Sequence, residues 1–145
     1  MTTDSHKRAV EVILPNVMGY ERVAMACSAS FAKIFCLAPE RIEDLKTIVS
    51  EAAINAMQHG NKGRPDAQVT VTLKYEKDAI NVWVMDEGDG IKQLLPNPNI
   101  ERIIDNLEPP SGFGTFFIKQ LADHVEFNET TDKGIALKMV IKIKK

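Results

Sequence analysis

The sequence is poor in cysteine. Its 145 residues hold only Cys27 and Cys36, nine positions apart in one helical pattern. That spacing makes neither a CxxC pair nor a zinc site, which excludes a disulfide framework and a thiol redox motif. They read as two small buried hydrophobes in a reducing compartment, the cytoplasm, with a regulatory thiol as the alternative. An excess of one charge is also lacking: Lys+Arg 18 against Asp+Glu 20 gives a formal net charge of −2. A balance of this kind leaves no electrostatic footprint for nucleic acid or for an anionic membrane surface. No apolar run approaches the roughly 20 residues needed to span a bilayer. The polar opening Thr2-Thr3-Asp4-Ser5-His6-Lys7-Arg8 leads into no apolar core of a signal peptide. Internal repeats and low-complexity tracts are absent as well. What is present, 44% hydrophobic and 26% charged residues, is the composition of a globular domain. At this length the expectation is one domain over residues 1–145 with a core of its own.

Taken in order, Ala9 to Leu14 is apolar and β-branched and stops at Pro15, a first strand. Asn16 is placed to cap a helix from Val17 to about Leu37, with Val23, Ala26, Cys27, Phe31, Ile34 and Phe35 toward the core. Pro39-Glu40 opens a second helix that runs to Gly60. The segment Asn61 to Asp66 reads as turn chemistry. Two alternating runs, Gln68 to Tyr75 and Ala79 to Met85, form an antiparallel hairpin around Glu76-Lys77-Asp78. Residues 91–111 carry Pro96, Pro98, Pro109 and Pro110 and read as a flexible lid with one short helical candidate, Ile100 to Asn106. A helix from Phe116 to Asp123 and strands Val125 to Thr130 and Ile135 to Ile143 complete the chain. The order predicts an α+β two-layer sandwich: a mixed, mainly antiparallel sheet covered on one face by helices.

Three polar motifs stand on this frame. On the second helix, Ile42, Leu45, Val49, Ala52, Ala53 and Ala56 share one side at about 100° per residue. Glu51 and Asn55 lie on the other side at i and i+4, a carboxylate and a carboxamide aimed into the same space. Such a pair suits a hard cation such as magnesium, or a hydroxyl in need of a base. Second, Asp86 follows a strand and is followed by Gly88 and Gly90 in Asp-Glu-Gly-Asp-Gly. A carboxylate there can accept from an exocyclic amino group while the glycines let backbone approach a ligand. It is no calcium loop, since Gly88 stands where an oxygen ligand belongs. Third, Gly112-Phe113-Gly114-Thr115 opens a helix, whose free N–H groups and dipole favour phosphate. It is neither a Walker A loop nor a Rossmann fingerprint. Each motif alone fits an ordinary surface feature. Together they describe one site.

In that combination, Glu51-Ala-Ala-Ile-Asn55-Ala-Met-Gln-His-Gly60, Asp86-Glu-Gly88-Asp-Gly90 and Ser111-Gly112-Phe113-Gly114 resemble the N, G1 and G2 boxes of the GHKL ATP-binding fold. Gyrase, histidine kinases and mismatch-repair ATPases share that fold. The resemblance is closest to stand-alone bacterial anti-sigma-factor serine kinases of the sporulation and stress-response type, and it covers about Val10 to Ile143. It implies ATP and Mg2+, with Asn55 on the metal and Asp86 reading the adenine amino group. Gly88 and Gly90 would shape the base pocket. Gly112, Phe113, Gly114 and Thr115 would meet the nucleotide, and Glu51 would activate the attacking hydroxyl. The implied partners are an anti-sigma antagonist, whose serine is the substrate, and a sigma factor held by a homodimer.

One departure stands out. Close relatives carry a basic residue just before the Ser-Gly of the G2 box, where this chain has Pro109-Pro110. Transition-state charge would then rest on magnesium, the helix N-terminus and Lys119 or Arg102. A second reading follows from it: a nucleotide-gated binding module that controls a partner without phosphorylating it. The catalytic domain of a histidine kinase fits poorly, because the chain has no dimerising helix hairpin.

Overall fold

Strict alternation along Gln68–Glu76 buries Val69, Val71 and Leu73 and leaves Thr70, Thr72 and Lys74 on the other face. That period of two is what commits a segment to a half-covered sheet. A computed structural model describes residues 8–87, 112–129 and 135–143. The strands are β1 (Ala9–Pro15), β2 (Gln68–Glu76), β3 (Ala79–Met85), β4 (His124–Glu129) and β5 (Ile135–Lys142). They form one sheet in the order β1-β2-β3-β5-β4, with antiparallel pairing at every junction rather than the mixed pairing expected. The hairpin β2–β3 has the predicted turn, and its register sets Val71 opposite Val84 and Leu73 opposite Val82.

Three helices lie on one face: α1 (Glu21–Ile34), α2 (Pro39–Asn55) and α3 (Gly112–Leu121). α2 is the middle one, packed between α1 and α3 and over β3 and β5. Its side toward the sheet is the predicted one: Ile42, Leu45, Ile48, Val49, Ala52 and Ala53 are all buried. Each large aliphatic side chain so buried contributes about 1.5–3 kcal/mol, so α2 is where the core is anchored. Met139 and Ile141 of β5 and Ile80, Val82 and Val84 of β3 close that core from the sheet side. The fold is therefore the expected α+β two-layer sandwich. Among the described residues no helix is long and apolar enough to cross a membrane.

Several local expectations are corrected. α1 starts at Glu21, not Val17, because Gly19 takes φ 110° and holds residues 17–20 in turns. Asn16 does not cap it; its side chain is buried and bonds elsewhere. The buried stripe of α1 is Ala24, Ser28, Phe31 and Ala32, leaving Val23 and Ile34 exposed. Small residues on that stripe let α1 sit close to α2. Cys36, expected inside, is exposed beyond the helix end at φ 63°. Trp83 faces away from the helices, half-buried on the uncovered sheet face beneath the Lys138 ammonium, 5.3 Å from its ring centre. The lid at 91–111, with Ile100 to Asn106, lies outside the described residues.

Candidate active site

α2 stops being α-helical just after Asn55. Residues Ala56–Gly60 form a π-helical turn, sealed by the Asn61 N–H donating to the Ala56 carbonyl at 2.8 Å. Single π turns widen a helix locally and recur at functional sites. The two polar side chains singled out on this helix sit at its mouth. Glu51 and Asn55 are both half-buried. Burial pushes the Glu51 carboxyl above its ordinary range, because the charged form loses water. A base with a raised pKa takes a proton more readily, which suits it to accept one from a hydroxyl. Asn55 Oδ1 is buried and has no hydrogen-bond partner among the described residues. An acceptor withdrawn from water with no donor is destabilising by about 1–3 kcal/mol. A bound hard cation would satisfy it, so the donor present at Asn55 fits magnesium.

Asp86 follows β3 directly and is 5% exposed. Its side chain rests on Gly60, at the end of the π turn. A Cβ added to Gly60 would lie 2.8 Å from the Asp86 Cβ and closer still to the carboxylate. Gly60 is not among the positive-φ glycines of the described residues, which are Gly19 and Gly63. Glycine is needed at position 60 for room, not for conformation.

The next residues tie the same two ends together. Asn61 is 0% exposed, and its side-chain amide is fully engaged. Nδ2 donates to Asn16 Oδ1 at 3.1 Å and to the Gln68 carbonyl at 2.9 Å. Oδ1 accepts from the Glu87 N–H at 2.7 Å. Asn16 in turn donates through Nδ2 to the Arg64 carbonyl at 2.9 Å and the Met57 carbonyl at 3.4 Å. Glu87 Oε1 accepts from the Gln68 N–H at 3.1 Å. Sequence reasoning took Asn61 for turn punctuation and Asn16 for a helix cap, and so missed both. Their common signal, an amide beside a glycine turn, is too ordinary to mark them.

The glycine motif forms the first turn of α3, which begins at Gly112 rather than Phe116. The opposite end of α3 is fastened to the start of α2. Arg41 donates through Nη1 to the Leu121 carbonyl at 3.0 Å and to Asp44 at 2.7 Å, and through Nη2 to Asp123 at 3.0 Å. From that anchor α3 packs against α2. Gly112 and Gly114 lie in the first turn of α3, the end away from that anchor, and the side chains of Phe113 and Thr115 lie outside the described residues. Gly88 and Gly90, and with them Arg102, Pro109 and Pro110, lie outside the described residues. A cavity of about 460 Å³ lined by Asp78, Asn81, His124 and Lys142 among others opens at the far end of β3 and touches none of the predicted site residues.

A family model described as the histidine kinase-like ATPase domain matches residues 15–141. An anti-sigma F factor of Oceanobacillus iheyensis is 27% identical, over 96% of this chain and 95% of its own length. The serine-protein kinase RsbW of the same organism is 30% identical, over 82% of this chain and 78% of its own. An anti-sigma F factor of Clostridium acetobutylicum is 33% identical, over 86% and 85%. Among solved structures, the SiaB–SiaC complex from Pseudomonas aeruginosa matches with a TM-score of 0.67 at 15% identity, covering 97% of this chain and 93% of that chain. At that identity the likeness is one of fold.

Proposed function

This chain belongs to the histidine kinase-like ATPase domain family, and on that premise we propose that it is an ATP-dependent protein-serine kinase that is also an anti-sigma factor. Residues 1–145 work as one such domain. The adenine amino group is read by the Asp86 carboxylate, the base lies against Gly88 and Gly90, and the phosphates lie at the start of α3. Asn55 Oδ1 would hold Mg2+, which when bound neutralises phosphate charge. A serine hydroxyl of an antagonist protein gives its proton to Glu51 while its oxygen bonds to the γ-phosphorus and ADP leaves. Phosphoryl transfer asks of the protein mainly positioning, charge neutralisation and a base, and a general base contributes about 10²–10⁴-fold.

The observation that carries this reading is the buried, unpartnered Asn55 Oδ1 one turn beyond Glu51, whose carboxyl burial has made more basic. The names of the relatives, two anti-sigma factors and one serine-protein kinase, support the partner classes: a sigma factor and a protein whose serine is phosphorylated. The assembly we propose for this chain is a homodimer in the cytoplasm, with an antagonist protein bearing the serine. The test is transfer from ATP to candidate antagonists. Glu51→Gln is expected to lower the rate by about 10²–10⁴-fold with Mg-ATP affinity unchanged; an unchanged rate removes Glu51 as the base. The prolines at 109 and 110, where a basic residue would meet the γ-phosphate, favour a second reading. In it the nucleotide gates partner capture without transfer, and stoichiometric capture with no phosphoserine on any candidate distinguishes it.

A further inference from the structure

We infer that Asn61 is the positioning residue for base recognition at Asp86, an inference that rests on the adenine-reading role proposed above. Asp86 is constrained on three sides. The residue before it, Met85, is held in the sheet opposite Thr70 on β2 and Ala136 on β5. Its own side chain lies on Gly60, with no room for another atom between them. The residue after it, Glu87, has its N–H fixed by Asn61 Oδ1 at 2.7 Å. That last bond sets the plane of the peptide between Asp86 and Glu87, and so the direction in which the Asp86 Cα presents its carboxylate.

Asn61 can hold that plane because its own orientation has one solution. Turning the amide over would set Nδ2 against the Glu87 N–H and Oδ1 against the Gln68 carbonyl, two donors facing and two acceptors facing. Asn16 locks the choice, because its Nδ2 is committed to the Arg64 and Met57 carbonyls and only its oxygen is left to receive Asn61. An apolar residue here would leave the Gln68 carbonyl and the Glu87 N–H without this partner. An amide gives direction as well as volume. It acts through the backbone of Glu87 and touches no nucleotide itself.

The experiment compares Kd for ATP with Kd for purine riboside triphosphate, which lacks only the 6-amino group. The wild-type chain is expected to prefer ATP by about 10- to 100-fold, the range of a hydrogen bond to a charged acceptor. Asn61→Ala should bring that ratio to within about 3-fold while purine riboside triphosphate binds nearly as before, because only the amino-group bond is lost. Both affinities falling together with the ratio kept would mean that Asn61 is a structural anchor only, and overturns the inference. A wild-type ratio near one, unchanged by Asp86→Asn, would show that the adenine reading itself has failed, taking this inference with it. Should Asn61→Ala fail to fold, Asn16→Ala carries the test. It leaves the Asn61–Glu87 bond but removes one of the two acceptors that hold Asn61 Nδ2, so a partial drop in the ratio is expected, and an unchanged ratio overturns the proposal.

Discussion

The two ends of β3 meet the same requirement, to stop a strand and satisfy its last polar groups, in opposite ways. At the Ala79 end most of what is needed lies within a few residues, the exception being the Ile143 N–H that donates to the Asp78 carbonyl at 3.0 Å. Lys77 and Asp78 both adopt the left-handed conformation, at φ 57° and 59°, as a two-residue hairpin turn requires. Tyr75 Oη donates to Asp78 Oδ1 at 3.0 Å, and Asn81 Nδ2 donates to the Glu76 carbonyl at 3.2 Å. At the Met85 end the partners come from another element: Gly60 makes room for Asp86, and Asn61, 26 positions away, holds Glu87. The first end is a turn built by local chemistry. The second is a junction between sheet and helix, where Asp86 meets the end of the helix that carries Glu51 and Asn55.

The largest effect that would break this comparison is expected from Gly60→Ala. The added methyl overlaps Asp86 without straining the backbone, so a loss of about 1–3 kcal/mol in unfolding free energy is expected by denaturant titration. Mg-ATP affinity should drop in the same variant, by calorimetry, because the carboxylate is displaced. A Gly60→Ala chain that is as stable and binds as tightly as wild type would show that the junction tolerates what the packing forbids.

Next in size is Arg41→Ala, which removes the fastening between α2 and α3 and leaves the Leu121 carbonyl and the half-buried Asp123 without it. About 1–3 kcal/mol of stability is expected to go, read by the same titration. The opposite sign is expected at the hairpin. Lys77→Gly relieves a side chain from the left-handed region, worth up to about 1 kcal/mol of added stability, and should leave nucleotide affinity untouched. The smallest effect concerns Glu51. Burial raises its folded pKa, so the native state holds its proton more tightly than the unfolded chain, and stability falls as pH rises from the ordinary glutamate value through the folded one. Glu51→Gln should therefore show a slightly higher Tm than wild type above that range and no difference below it.

The contrast also explains how much could be read in the sequence. The hairpin, the strand order along the chain and the buried side of α2 depend on periods of two and 3.6, and those are local properties. Glu51, Asn55 and Asp86 can be singled out as candidates because their spacing and strand-end position are local too. Asn16 and Asn61 cannot, because what makes them different from any loop asparagine is burial, which only the packed chain confers. The same applies to α1, where the true stripe through Ala24 and Ser28 is set by how closely α2 approaches, and hydrophobicity alone favoured Val23 and Ile34. The π turn was hidden for another reason: Ala-Met-Gln-His-Gly reads as the end of an ordinary helix, and one widened turn leaves no mark on composition.

Trp83 is the sole tryptophan in the chain, three positions before Asp86 on the same strand and on the face turned away from the helices. A half-covered indole under a cationic side chain from the neighbouring strand emits differently once that strand leaves it. The molecule thus carries its own optical reporter at the middle of its sheet. Unfolding of every variant described above can be followed by intrinsic emission, with no dye and no label added.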